Sequence, residues 1–454
     1  MAITDFPVAL QGMLQEGFLE REFEEGLDSV LAYRRESLME TVPARIGETI
    51  TRTRTGRKAP IQTPSNPAAT SSLDNGITPS DATLEQYLLT MYQYDDATDV
   101  NLMQDLAAIA NNLIRVARNN GVQAAQSLER ITRQNLFAAY LGGNTRVRTD
   151  LGASSTTSCH VDDTRGFQVV LVNGTPTAIS GTNTLTVAET AVSASGVTQT
   201  LTVTGFANDS VNNSSVPDGT SGTLTFSSAT APVNGDALIA ANAPKILRPY
   251  SHITTAQMVG GDTLTMGLIL DAVSYLRDNA VPNFDDGTYH VILDNTSLRQ
   301  IYADQDFKIL FAGRSQSPEF RAADIADLLG VTFIPTTETY VQAAGSGGTG
   351  AAAINVRIRR AIVCGAEHLI QGNFEGMDQW VERDGVNSFA EITLINNIAH
   401  IIRPPLDRLQ QWVSLAWVWV GGFAVPTDLT ATTTIIPTAS SALYKRAMVV
   451  EHAG

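Results

Sequence analysis

The chain has only two cysteines in 454 residues, Cys159 and Cys364, far apart in the sequence, so no disulfide framework is expected and a reducing compartment fits. Lysine is nearly as scarce, with Lys58, Lys245, Lys308 and Lys445 the whole complement. Lys and Arg together number 30 against 46 Asp and Glu, giving a formal net charge of -16. Wrapping nucleic acid requires clustered cations, which this balance argues against; a container around nucleic acid has no such need. No run of about 18 apolar residues occurs: even 395–425 is interrupted by Asn396, Asn397, Arg403, Asp407 and Arg408. The first ten residues carry Asp5 and lack a basic segment ahead of an apolar core, so no signal peptide is expected. The expectation is a soluble chain made in the cytoplasm, with no membrane partner.

Catalytic signatures are missing as well. The run Gly345-Ser346-Gly347-Gly348-Thr349-Gly350 lacks the Gly-Lys-Ser/Thr that completes a phosphate-binding loop and reads as a flexible loop. Cys364-Gly365-Ala366-Glu367-His368 places thiol, carboxylate and imidazole together, but a metal centre needs further ligands and no second Cys/His cluster accompanies it. Cys159-His160 is equally isolated, and no nucleophile elbow or zinc-protease motif occurs. No enzymatic activity, catalytic residue, cofactor or metal is expected.

With 43% hydrophobic residues, the chain can bury substantial cores in about two or three domains. Residues 1–44 are acidic and partly helical, with Glu16, Glu20, Glu22, Glu24, Glu25 and Asp28 among Phe18, Phe23 and Leu27. So polar a segment is expected to lie against something else. Ile46 to Arg54 alternates as a strand does, a Pro/Ser/Asn-rich stretch follows from Ala59 to Ser80, and Leu84 to Tyr94 is extended again. This is a long two-stranded arm, marginal in water without a neighbour. Arg45, Arg52, Arg54, Arg57 and Lys58 make the arm basic, and the acidic amino-terminal segment of another copy is its expected complement. A flexible basic loop with no partner is the plainer alternative.

From Asp99 a helical stripe begins: Leu102, Leu106, Ile109, Leu113, Val116, Ala124, Leu128 and Ile131 recur at spacings of three and four. Thr98-Asp99 reads as its cap, Gly142-Gly143 as its end and Gly121 as a break or bend. Residues 151–245 are rich in Thr, Ser, Gly and Asn, with short strand-like stretches between turn signals such as Asn173-Gly174 and Asp218-Gly219, and read as a small β-sandwich or barrel. Arg357 and Arg359 alternate along a strand, facing either solvent or an acidic neighbour. Trp412 to Val420 is a dense aromatic and β-branched strand that needs burial.

The most specific pattern lies between Asp271 and Tyr340. A helical stretch runs into Val281-Pro282-Asn283-Phe284-Asp285-Asp286-Gly287-Thr288-Tyr289, then an apolar strand from His290 to Leu293. The cap cluster Asp294-Asn295-Thr296-Ser297 opens a short helix that ends at Asp304-Gln305-Asp306-Phe307. This layout resembles the A-domain of tailed-bacteriophage major capsid proteins of the Hong Kong 97-like fold, and Arg403-Pro404-Pro405-Leu406-Asp407-Arg408-Leu409-Gln410 resembles a stretch in one branch of them. The resemblance covers nearly the whole chain outside 151–245. It implies an α+β fold with an N-terminal arm (1–44), an E-loop (45–98), a P-domain spine helix (99–150), an inserted all-β domain (151–245), an A-domain (246–380), and P-domain strands with a C-terminal segment (381–454). It further implies hexamers and pentamers of one chain forming an icosahedral shell around double-stranded DNA, without sequence-specific binding. A portal protein and, lacking a long helical extension before the E-loop, a separate scaffolding protein are implied partners. The insertion is left to stabilise capsomer contacts, hold a decoration protein or add bulk. The implied location is the virion capsid, assembled in the host cytoplasm. Some members crosslink Lys to Asn; Lys58 alone on the arm is weak support for that here. An encapsulin-like nanocompartment shares the fold, and a secreted β-rich adhesin is the alternative from another class.

Overall fold

The computed structural model describes residues 17–28, 32–43, 48–56, 58, 60–62, 84–101, 112–192, 196–228, 230–312, 327–328, 330–381, 390–405, 408–409, 411–426 and 444–454. Its organising element is helix α2 (Asn112–Leu141), which follows the shorter helix α1 (Phe18–Asp28) in the chain. One face of α2 is small and apolar, with Ala117, Ala124, Ala125, Leu128, Leu136 and Ala139 all buried, as the spacing predicts. The helix ends at Leu141, and Gly143 behind it adopts a φ of +77°, a left-handed terminus suited to glycine.

Two expectations about this helix need correction. Thr98 and Asp99 do not cap it: they lie inside the strand Tyr92–Asn101, paired with Leu415 and Ser414. The apolar partner strand recruits this polar stretch, whose backbone groups are satisfied by the ladder whatever its side chains prefer. The positions Leu102, Leu106 and Ile109 fall outside the described residues. Gly121 does not break the helix, which runs through it; it is where α1 crosses. A Cβ on Gly121 would stand 2.2 Å from the Phe23 carbonyl oxygen, and one on Gly26 would stand 2.4 Å from that of Arg118. Two glycines thus let the helices touch backbone to backbone, while Phe23 and Leu27 of α1 enter the same core as Ala124 and Leu128. The acidic helix α1 therefore has an apolar side, and that side is packed on its own chain.

A six-stranded sheet lies beside α2. Its centre is Trp412–Ala424, which pairs with Tyr92–Asn101, with Ile398–Arg403 and, at its far end, with Ile370–Phe374. Leu38–Val42 adds a parallel edge on Ile370–Phe374, and Glu391–Ile395 an antiparallel one on Ile398–Arg403. Alternate residues of Trp412–Ala424 point inward, burying Val413, Leu415, Trp417 and Trp419.

A seven-stranded sheet forms the second layer, in the order Ile246–Leu247, Ala447–Ala453, Ile358–Cys364, Tyr289–Asp294, Val331–Thr336, Asp327–Leu328, with Val341–Gln342 also on Ile358–Cys364. Helix α3 (Met266–Asp278) covers it through Ile269, Val273 and Leu276. The chain's last strand, Ala447–Ala453, inserts into the middle of this second sheet, where all seven of its residues are buried. The turn predicted at 284–288 is present, with the Gly287 N–H donating to Phe284 O at 2.9 Å and Gly287 at φ +82°. Asp294 caps the helix Asn295–Ala303 by accepting from the Ser297 and Thr296 N–H groups at 3.1 and 3.3 Å.

The block between the two sheets is a closed barrel. Six strands run in the order Asn144–Arg146, Ala237–Ala240, Leu185–Thr190, Gln199–Asn208, Gly222–Phe226, Ser158–Val161, and an antiparallel bridge from Val147 to Val161 joins last to first. Closure removes the exposed edges that six short strands would otherwise carry. Its core is apolar, with Val187, Leu201, Val203, Leu224 and Leu238 fully buried. The hairpin Val169–Val172/Thr175–Ala178 stands apart from the barrel sheet and turns at Asn173-Gly174, both left-handed at φ 51° and 77°.

Candidate assembly surface

The arm predicted from alternation is a ribbon of Thr49–Thr55 against Leu84–Thr90, in register from Thr49–Thr90 to Thr55–Leu84. Its base is anchored. Tyr87, Leu89 and Met91 are buried with Val42, Ile370 and Ala424. The hairpin beside the barrel reaches the ribbon as well: the Gln86 N–H donates to Gly174 O at 3.2 Å, and a Cβ on Gly174 would lie 2.0 Å from Leu84 O. The other strand, Thr49–Thr55, has Leu84–Thr90 as its sheet partner among the described residues. Ile61 beyond the ribbon is 91% exposed, and Leu84 at the end of its second strand is also exposed.

The basic residues of the arm do not act as one group. Arg54 is turned inward and pairs with Glu85 at 2.9 Å, both side chains nearly fully buried, with its guanidinium over the Tyr444 ring at 5.4 Å. Burial raises the Tyr87 phenol pKa. Arg52 pairs with Glu40 at 2.5 Å, within the chain. Lys58 is exposed, and Arg45 and Arg57 lie outside the described residues.

The acidic residues of α1 divide similarly. Glu20 accepts from Thr393 Oγ1 at 2.6 Å, and Glu25 pairs with Arg118 at 2.9 Å where both are exposed. Glu24 is exposed and Glu22 half-buried. Arg357 is exposed just before the strand Ile358–Cys364, while Arg359 is half-buried and paired with Asp294. Arg52, Arg54, Glu20, Glu25 and Arg359 thus make contacts inside one chain, while Glu24 and Arg357 are exposed.

Large apolar side chains on the surface were not signalled by sequence pattern. Tyr250 is 83% exposed and Leu409 74%, with Val259, Met39 and Trp412 also outward. Tyr250 and Ser251 are both left-handed, at φ 52° and 58°, which is uncommon for a bulky residue. Trp412 was expected to be buried with its strand; as the first residue of that strand it lies at the sheet's end. Scattered exposed apolar residues are ordinary.

The run Gly345–Gly350 also differs from the flexible loop expected of it. It packs on the barrel: a Cβ on Gly347 would fall 1.9 Å from Arg146 Nη2 and one on Gly348 2.8 Å from Arg148 Nε, and Asn234 Nδ2 donates to Thr349 O at 2.9 Å. Glycine is needed there for close approach and for φ values of +88° and +100°. Around Cys364 the thiol is buried, and His368 Nδ1 lies 3.1 Å from Gly365 O. Among the described residues no three His, Cys, Asp or Glu side chains are grouped to hold a metal, and no helix is long and apolar enough to cross a membrane.

No protein-family model matches the chain, and no curated protein matches it. Among solved structures it is similar to the capsid of Ralstonia phage GP4, at 9% identity and a TM-score of 0.47 over 92% of this chain and 87% of that one. It is also similar to the cyanophage Pam1 capsid asymmetric unit (10% identity, TM-score 0.45, 93% of each chain). The capsid of cyanophage P-SCSP1u is a third likeness (8% identity, TM-score 0.44, 94% and 88%). At TM-scores below 0.5 these remain likenesses, and the functional reading rests on the chain's own residues and topology.

Proposed function

We propose that this chain is a major capsid protein of the Hong Kong 97-like type, a structural protomer that assembles into hexamers and pentamers of an icosahedral shell around the double-stranded DNA of a tailed phage. The single observation that carries the reading is the order of parts: a ribbon, a 30-residue helix, an inserted barrel and a second sheet follow one another, and the chain then returns to complete both sheets. In this reading the ribbon is the E-loop, α2 the spine helix of the P-domain with the six-stranded sheet beside it, and the seven-stranded sheet with α3 the A-domain. The barrel is an insertion that would face outward, free to steady capsomer contacts or take a decoration protein. Portal and separate scaffolding proteins complete the assembly.

Physical features favour a scaffold over a catalyst. Extended strands held by long-range pairing suit a load-bearing protomer, and rings form when heterologous contacts between identical copies close. A net charge of -16 suits a wall that encloses DNA without adhering to it. The test is electron microscopy of the chain expressed alone and together with its neighbouring genes. Capsomer rings or closed shells are expected; compact monomers under both conditions would overturn the proposal, and shells loaded with protein cargo would redirect it to a nanocompartment.

A further inference from the structure

Where the barrel meets the seven-stranded sheet there is a cavity of about 50 Å³. Arg146, Arg248 and Arg360 line it, against the two carboxylates Asp162 and Glu451. Arg146, Arg360, Asp162 and Glu451 are each no more than 4% exposed. The carboxylates are fully engaged. Asp162 takes Arg146 Nη2 at 2.9 Å and Arg148 Nη1 at 3.0 Å, and Glu451 takes Arg248 Nε at 2.7 Å and Arg360 Nε at 2.8 Å. Arg148 carries its own counter-ion in Asp150, at 2.7 Å.

The balance leaves one positive charge over, among side chains that are themselves largely buried. Two guanidinium N–H groups, Arg146 Nε and Arg360 Nη1, have no acceptor among the described residues. Buried donors without partners are rare in folded proteins, and buried charge without a counter-charge is rarer. Burial lowers the Arg146 pKa despite its carboxylate neighbour.

We propose that this cavity binds one small monovalent anion of halide size, chloride under ordinary conditions, between Arg146 and Arg360. Water would accept the two hydrogen bonds but would leave the surplus charge unanswered. A phosphate would overcompensate it; at roughly 10–15 Å³ of such space per water, the cavity has room for an ion of chloride size together with a few waters. Arg146 belongs to the barrel and Arg360 to the second sheet, so the anion ties the insertion to the body of the protein.

The experiment has two parts and uses the full chain. Thermal unfolding is followed while sodium chloride or bromide replaces sodium gluconate at constant ionic strength. A saturable rise in Tm of roughly 2–4 °C is expected, and it should shrink by at least half in Arg360→Lys, which keeps a cation for Glu451 and loses the Nη1 donor. Arg118→Lys, on an exposed pair, should retain the full rise. Because Arg360→Lys could fold poorly, the deciding measurement is anomalous scattering from bromide-grown crystals of the unaltered chain. A bromide peak in contact with Arg146 and Arg360 is the expected result; water alone in the cavity, or a Tm indifferent to halide, would overturn the proposal.

Discussion

Glu129 is the residue that most clearly ties the amino-terminal segment to the body of the protein. It is fully buried on α2, and its carboxylate accepts the backbone N–H groups of Ala32, Tyr33 and Arg34 at 3.1, 2.9 and 2.9 Å. Burial raises its pKa, partly offset by those donors. Glu129→Ala would strand three buried donors, and a loss of roughly 3–5 kcal/mol is expected in denaturant unfolding. Glu129→Gln, which keeps one acceptor oxygen, should lose clearly less. Equal losses would mean the carboxylate is filling space rather than accepting hydrogen bonds.

The histidines make stability depend on pH in two directions. His290 stacks on Phe284 at 3.9 Å and lies between Glu36 and Asp286. Burial works to lower its pKa, but the two carboxylates outweigh it and the net shift is upward from 6.5. Its contribution is therefore complete below the unfolded value and is lost as pH rises through the elevated folded value. His368, His400 and His452 are depressed by burial to about 4. Their contribution is present above the unfolded value and is lost as pH falls towards 4. Stability measured across this range should decline on both sides of 6.5, and His290→Gln should flatten the alkaline limb alone. An unchanged alkaline limb would refute the role assigned to His290.

At the scale of elements, the crossing of α1 and α2 is the contact most sensitive to one methyl group. In an open helix Gly→Ala gains about 1 kcal/mol. At Gly121 the new Cβ would meet the Phe23 carbonyl oxygen at 2.2 Å, backbone that cannot swing aside. Overpacking of this kind costs about 3 kcal/mol at its upper range, so Gly121→Ala is expected to destabilise by about 2 kcal/mol net. Gly267→Ala in α3, where the nearest atom would be 4.0 Å away, serves as the control and should be neutral or stabilising in the same thermal melt. If both variants behaved alike, the close crossing would be wrong.

The same helix shows what was legible in the sequence. Its apolar stripe and glycine terminus were visible because both are local, and so were the Asp294 cap and the Asn173-Gly174 turn. The strand at Thr98-Asp99 was not, because its pairing with Ser414 and Leu415 overrides a local capping signal. The inward turn of Arg54 depended on Glu85 across the ribbon, and the packing of Gly347 on Arg146 depended on a strand two hundred residues earlier. Basic and acidic residues were legible as a count; which of them stay on the surface was settled by partners distant in sequence.

At the scale of the whole molecule, the ion pairs among the described residues link neighbouring elements of the chain. Ion pairs join the two strands of the ribbon (Arg54–Glu85), α1 to α2 (Arg118–Glu25), and the barrel to itself (Arg146–Asp162, Arg165–Asp163). Exposed pairs of this sort contribute little, whereas breaking a buried one is costly. In the proposed assembly, contacts between copies would draw on what lies outside: the ribbon with Ile61 and Leu84, the exposed Glu24 and Arg357, and the outward Tyr250.

A cryo-electron microscopy reconstruction of assembled particles tests that assignment directly. The account predicts closed shells in which the ribbon of each protomer lies across its neighbour, with Ile61 and Leu84 buried at that contact; particles in which the ribbon touches only its own chain, or preparations that yield no particles at all, would contradict it.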